Sequence, residues 1–133
     1  MLPLEGVRVV EFAHMVMGPS CGLVLADLGA EVIKVEPLAG DNTRRLEAAG
    51  AGFFPVFNRN KKSLAIDLAR AEGKEVVSKL LRTADVLTEN FRPGALDKLG
   101  FSFEKLKEQN GLRERFLRKL WNWYVKSGEG QRP

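Results

Sequence analysis

The chain has 133 residues, of which 44% are hydrophobic and 29% charged, the make-up of one folded domain rather than of a disordered or fibrous chain. Its net charge of +4 comes from one end: residues 1–110 hold 15 Lys/Arg and 15 Asp/Glu, while residues 111–133 hold six Lys/Arg against Glu114 and Glu129. The basic pI therefore describes a tail and gives no ground for a nucleic-acid partner. A single Cys and a single His exclude an internal disulfide, a cysteine zinc cluster and a His-rich metal site. No apolar run approaches the roughly 20 residues that cross a bilayer, and "MLPLEGVRVV" lacks the basic start and apolar centre of a signal peptide, so a cytoplasmic protein without a membrane segment is expected.

In chain order, "VRVVEF" (7–12) is rich in β-branched residues and reads as a buried strand. Gly18-Pro19-Ser20 offers a turn with Ser20 at or near an N-cap. From Cys21 the apolar positions Leu23, Val24, Leu25 and Leu28 follow helical spacing up to Gly29, a C′ stop. "EVIKVE" (31–36) is a second strand, which completes a unit of βαβ size. Residues 37–54 carry the Gly, Pro and Asp of a surface loop, and "NRNKKS" (58–63) reads as a solvated charged run, with neighbouring charges that could instead hold a phosphate. "SLAIDL" (63–68) alternates like a strand. A helix is expected over 69–84 with Val76, Val77, Leu80 and Leu81 inward, and a strand over "DVLTENF" (85–91). A proline-started short helix over 93–100 and a last helix capped by Ser102 follow. The alternation predicts an α/β fold, a Rossmann-like and mainly parallel sheet with flanking helices.

Ligands of open parallel sheets sit at the carboxyl ends of the strands. Two such places carry unusual residues, "AHMVMGPS" after the first strand and "ENFRPGALDK" after the fourth. If those strands are neighbours, His14, Met15, Val16 and Met17 face Asn90, Phe91, Arg92 and Lys98 across one crevice. Apolar, amide and cationic groups together suit a flat ring carrying phosphates. "GPSCG" does not fit Gly-x-Gly-x-x-Gly and no Walker loop occurs, which disfavours a nicotinamide enzyme or a P-loop NTPase. Plainer roles stay open: His14 as a hydrogen-bonded loop residue, the methionines as gap-fillers, Phe91 as core, Asn90 as a turn-closing side chain.

Three segments, "LEGVRVVEFAHMVMGPSCGLVLADLGAEVIKVEPLAGDNTR", "NRNKKSLAIDLARAEGK" and "ADVLTENFRPGALDKLGFSFEKLKEQN", resemble the N-terminal part of the class III coenzyme A transferases. That family takes in carnitine and bile-acid CoA transferases, formyl-CoA transferase and α-methylacyl-CoA racemase. The resemblance covers residues 2–110 with the three motifs in order. It implies a Rossmann-like domain that holds CoA in an interlocked homodimer, with CoA thioesters and carboxylic acids as substrates and no prosthetic group. Carried over residue by residue, His14, Val16 and Met17 fall on the first CoA-contacting loop. Ile66 falls on the third strand's contact, and Asn90, Phe91 and Lys98 on the adenine and phosphate side. Some members have an arginine after the acid that ends strand two; Pro37 stands here, so Arg44 or Arg45 is the candidate to supply that charge.

The family's transferases attack the thioester with an aspartate, through an aspartyl anhydride and an aspartyl-CoA thioester. None of Asp27, Asp41, Asp67, Asp85 or Asp97 matches that nucleophile, so no catalytic residue is assigned and a truncated transferase, inactive alone, is expected. Residues 1–110 form the expected CoA-binding segment. Residues 111–133 form a divergent basic tail, either a product of chance codons, the preferred reading, or a basic amphipathic helix. The CoA motifs do not separate transferase from racemase. A non-catalytic module that binds CoA, an anion or a partner is the reading from another class.

Overall fold

The structure is a computed structural model, and it describes residues 2–110; the tail 111–133 lies outside the described residues. Four strands form one all-parallel sheet in the order β3-β2-β1-β4: β1 (Arg8–Phe12), β2 (Glu31–Glu36), β3 (Lys62–Ala65) and β4 (Val86–Glu89). The expected α/β class is therefore what the chain adopts. Register is set by facing β-branched and apolar residues: Val10 lies between Ile33 of β2 and Leu87 of β4.

Alternation along each strand sends successive side chains to opposite faces. Val10 and Phe12 of β1 and Val35 of β2 face α3 (Ala71–Leu81) and α5 (Phe103–Asn110), where Val77, Leu81, Leu87, Phe101 and Leu106 complete the larger core. Val9 and Val32 face α1 (Met17–Asp27), where Ala26 and Ala30 close a smaller one. Of the four α3 residues expected inward, Val77 and Leu81 are buried, Leu80 is half-buried and Val76 is exposed.

Helix α1 differs from the expectation at both its start and its face. It begins at Met17, so Gly18, Pro19 and Ser20 lie inside its first turn rather than in a turn before it. Proline is tolerated there because its missing N–H would have had no helical partner. Ser20 caps nothing; its hydroxyl donates back to the Val16 carbonyl at 2.7 Å. The face laid on the sheet is small, Gly18, Gly22 and Ala26 at four-residue spacing, which leaves Val24 57% and Met17 66% exposed. Glu11 is the reason: a Cβ on Gly22 would lie 1.9 Å from its Oε2.

The segment 37–54, expected as loop, contains two 3₁₀ turns (Asn42–Arg45 and Ala48–Gly50) and runs into α2 (Phe53–Asn58), which no periodicity announced. Asp41 caps the first of these turns, accepting from the Thr43 N–H at 2.8 Å. Strand β3 ends at Ala65 and β4 spans 86–89, both shorter than expected. The helix α4 (Ala95–Lys98) starts from Gly94 in a left-handed conformation (φ 78°) and not from Pro93. The "NRNKKS" run is not simply solvated, since Asn58 is buried and the Lys61 side chain is only 2% exposed.

Candidate functional site at the carboxyl ends of the strands

Because β1 pairs with β4, the loops that follow them lie side by side. The Asn90 amide closes the join: its Oδ1 accepts from the His14 N–H at 3.0 Å and its Nδ2 donates to the His14 carbonyl at 2.9 Å. A side chain thus supplies the two bonds that another strand residue would have made. The next residue, Met15, turns with φ 65°, a left-handed conformation that side chains seldom adopt. Its strain is met by groups fixed on either side, since the Val16 carbonyl accepts the first helical bonds of α1.

Phe91 packs on both neighbours. Its ring centroid lies 5.6 Å from that of His14 and 6.5 Å from that of Phe12, the latter edge-on. Below these rings a groove of about 320 Å³ opens between the ends of β1, β2 and β3, lined by Phe12, Val35, Glu36, Pro37, Leu38, Ile66, Asp67, Leu68, Phe91 and Leu99. Its walls are apolar apart from two carboxylates, which suits a flat heteroaromatic ring.

The residues expected at the site divide into three groups. His14, Asn90 and Phe91 are in direct contact, and of the expected residues Phe91 and Ile66 line the groove. Val16 is half-buried at the start of α1, and Met17 and Lys98 are exposed, Lys98 at the end of α4 one residue before the groove residue Leu99. Arg44 is engaged elsewhere: its Nε and Nη2 donate to Glu36 at 2.8 and 2.6 Å, and its guanidinium lies 3.7 Å from the Phe54 ring centroid. Burial pushes the Glu36 carboxyl up, but Arg44, the Ser63 hydroxyl and the Asp41 N–H outweigh it and hold the pKa down at about 2.

Beneath the first loop lies a group that the sequence reading missed. Glu11, Lys34, Lys61 and Asp41 are at most 5% exposed as side chains and form a neutral buried quartet. Lys61 Nζ donates to both Glu11 oxygens at 2.9 Å and to the Pro19 carbonyl at 2.8 Å. Lys34 Nζ reaches Asp41 Oδ2 at 3.0 Å, Glu11 Oε1 at 3.5 Å and the Ala13 carbonyl. Burial dominates this pair, shifting the Glu11 carboxyl up and the Lys61 ammonium down. The signal was available: Glu11 and Lys34 stand between apolar residues of parallel strands that are covered on both faces.

A parallel sheet, an aromatic-lipped groove at the carboxyl ends of its strands and a clamped loop beside it define an open-sheet α/β domain. The chain belongs to CoA-transferase family III, whose model matches residues 4–111. It is 47% identical over 112 residues to a formyl-CoA:oxalate CoA-transferase of Rhodopseudomonas palustris, covering 80% of this chain and 26% of that protein. An Escherichia coli enzyme of the same description is 46% identical over 113 residues, 81% of this chain and 27% of that one. The chain thus spans about a quarter of the length of these relatives. Among solved structures, the Rv3272 protein of Mycobacterium tuberculosis superposes with a TM-score of 0.79 at 45% identity, over 84% of this chain and 31% of that one. A CAIB/BAIF family protein of Brucella suis gives 0.75 at 44% identity, over 82% and 31%.

Proposed function

We propose that residues 4–110 form the coenzyme A-holding part of an enzyme that transfers CoA between carboxylic acids. The observation that carries the reading is the groove lined by Phe91 and Ile66, with Phe91 packed on His14 of the clamped loop, in a chain of this family. The adenine ring lies against Phe91 and Ile66, Lys98 and the start of α1 face its phosphates, and the Met15–Met17 loop borders the path toward the thioester. The names of the relatives favour transfer over racemisation and make formyl-CoA and oxalate the first pair to test.

In the transfer itself a carboxylate oxygen attacks the thioester carbonyl, the C–S bond breaks and CoA leaves as the thiolate. The resulting acyl anhydride is then opened by that thiolate, the acid departs and an aspartyl-CoA thioester remains for the next acid. On this reading residues 4–110 bind and orient CoA and the nucleophile comes from outside them. Asp27 is paired with Arg59 and Asp41 with Lys34, while Asp85 accepts from the Arg8 N–H. Asp67, which does line the groove, accepts from the Ala69 N–H. The chemistry uses no metal or prosthetic group, and the whole protein works as a cytoplasmic homodimer.

The test is a calorimetric titration of CoA into the 133-residue chain, with Asn90→Ala and Phe91→Ala beside it. Saturable binding weakened about tenfold or more by each variant is expected, a loss near 1.4 kcal/mol. A well-folded chain that takes up no CoA overturns the reading.

A further inference from the structure

The buried quartet is a costly way to hold a sheet together, since charges taken out of water seldom return more than their desolvation. Its placement gives it another use. Lys34 stands in the middle of β2, yet its ammonium reaches across to the Ala13 carbonyl, the last backbone group before His14. Its other donors go to Asp41 and Glu11. Asp41 in turn fixes the 3₁₀ turn after β2 through the Thr43 N–H and hydroxyl. Glu11 is held by Lys61, which is itself tied to the Pro19 carbonyl of α1. The Ala13–His14 peptide is thereby gripped from below by Lys34 and from the side by Asn90.

We propose that Lys34 is a positioning residue for the ligand loop: its buried ammonium fixes the Ala13–His14 peptide and so sets where His14, Val16 and Met17 meet the ligand. The proposal rests on the CoA reading above for the ligand and on the hydrogen-bond geometry for the loop. A residue that only supported the fold would lower stability without moving the loop, as Val32→Ala in the smaller core, which shares no residue with the groove, should do. Lys34→Met combined with Asp41→Asn removes one charge of each sign and leaves Glu11 paired with Lys61.

The experiment is NMR of the isotopically labelled 133-residue chain together with CoA titration. In the unaltered chain, Overhauser contacts from the Lys34 ζ-protons to Ala13 and His14 are expected. In the double variant the His14 and Val16 amide resonances shift, and CoA binds about tenfold more weakly, which is near 1.4 kcal/mol. Val32→Ala lowers the melting temperature with neither effect. Unmoved His14 and Val16 amides, or an affinity loss no larger than in Val32→Ala, overturns the proposal. If the unaltered chain binds no CoA, the CoA reading falls while the amide shifts still decide whether Lys34 sets the loop. If the double variant does not fold, the Overhauser contacts in the unaltered chain decide, and their absence overturns it.

Discussion

A Cβ placed on Gly18 would lie 2.7 Å from the Cγ of Asn90 and 2.6 Å from the Cβ of Ala13. Helix α1 and the loop after β4 therefore meet at a distance that only glycine permits, and the clamp on His14 is wedged between them. Gly18→Ala should push Asn90 off His14 and cost about 1–3 kcal/mol as overpacking. Urea unfolding measures it, with Gly52→Ala as the control: nothing lies within 4 Å of a Cβ there. Equal stability of the two variants would show that the Gly18 contact yields without consequence.

Glu36 links acid stability to Arg44. Its folded pKa of about 2 lies below the ordinary 4.5, so its contribution is fully present above pH 4.5 and is lost as pH falls through 2. Glu11 runs the other way: its folded carboxyl is raised, so its contribution is fullest at low pH and declines as pH rises through its folded value. Comparing Arg44→Ala with the unaltered chain isolates the first effect. The stability gap between them should be widest above pH 4.5 and close toward pH 2 in denaturant unfolding at a series of pH values. A gap independent of pH would mean that Arg44 stabilises through Phe54 alone.

Thr88 points a hydroxyl into the protein with no hydrogen-bond partner among the described residues, at 4% exposure, on β4 directly beside Glu11 in the register. Replacing it with the isosteric valine removes a desolvated donor and keeps the shape. Thr88→Val should therefore raise stability by about 1 kcal/mol. Thermal unfolding decides, and a fall in melting temperature would mean that the hydroxyl has a partner after all.

Much of the site was legible because it sits where chain order places it. Two strands with odd residues at their carboxyl ends, 76 residues apart, needed only to be neighbours for His14 to meet Asn90. What stayed hidden depends on side chains crossing between elements. Arg44 reads as a free cation near an anion site, yet it is spent on Glu36. Lys61 reads as part of a solvated run, yet it is buried against a glutamate 50 residues earlier. Helix α2 was missed because six residues are too few for a helical period to stand out and a proline holds its third position.

The sequence by itself determined the alternation of strands and helices, the parallel class of the sheet and the two loops that meet at the ends of β1 and β4, because these follow from local periodicity and chain order. Only the tertiary structure decided which apolar residues turn inward. Helix α1 lays its smallest face on the sheet and leaves Met17 and Val24 outside, because a buried glutamate of β1 occupies the space that larger side chains would need. It also decided that four charges could be buried, since each ion's desolvation is offset only when partners distant in sequence close around it, and no local pattern specifies that closure.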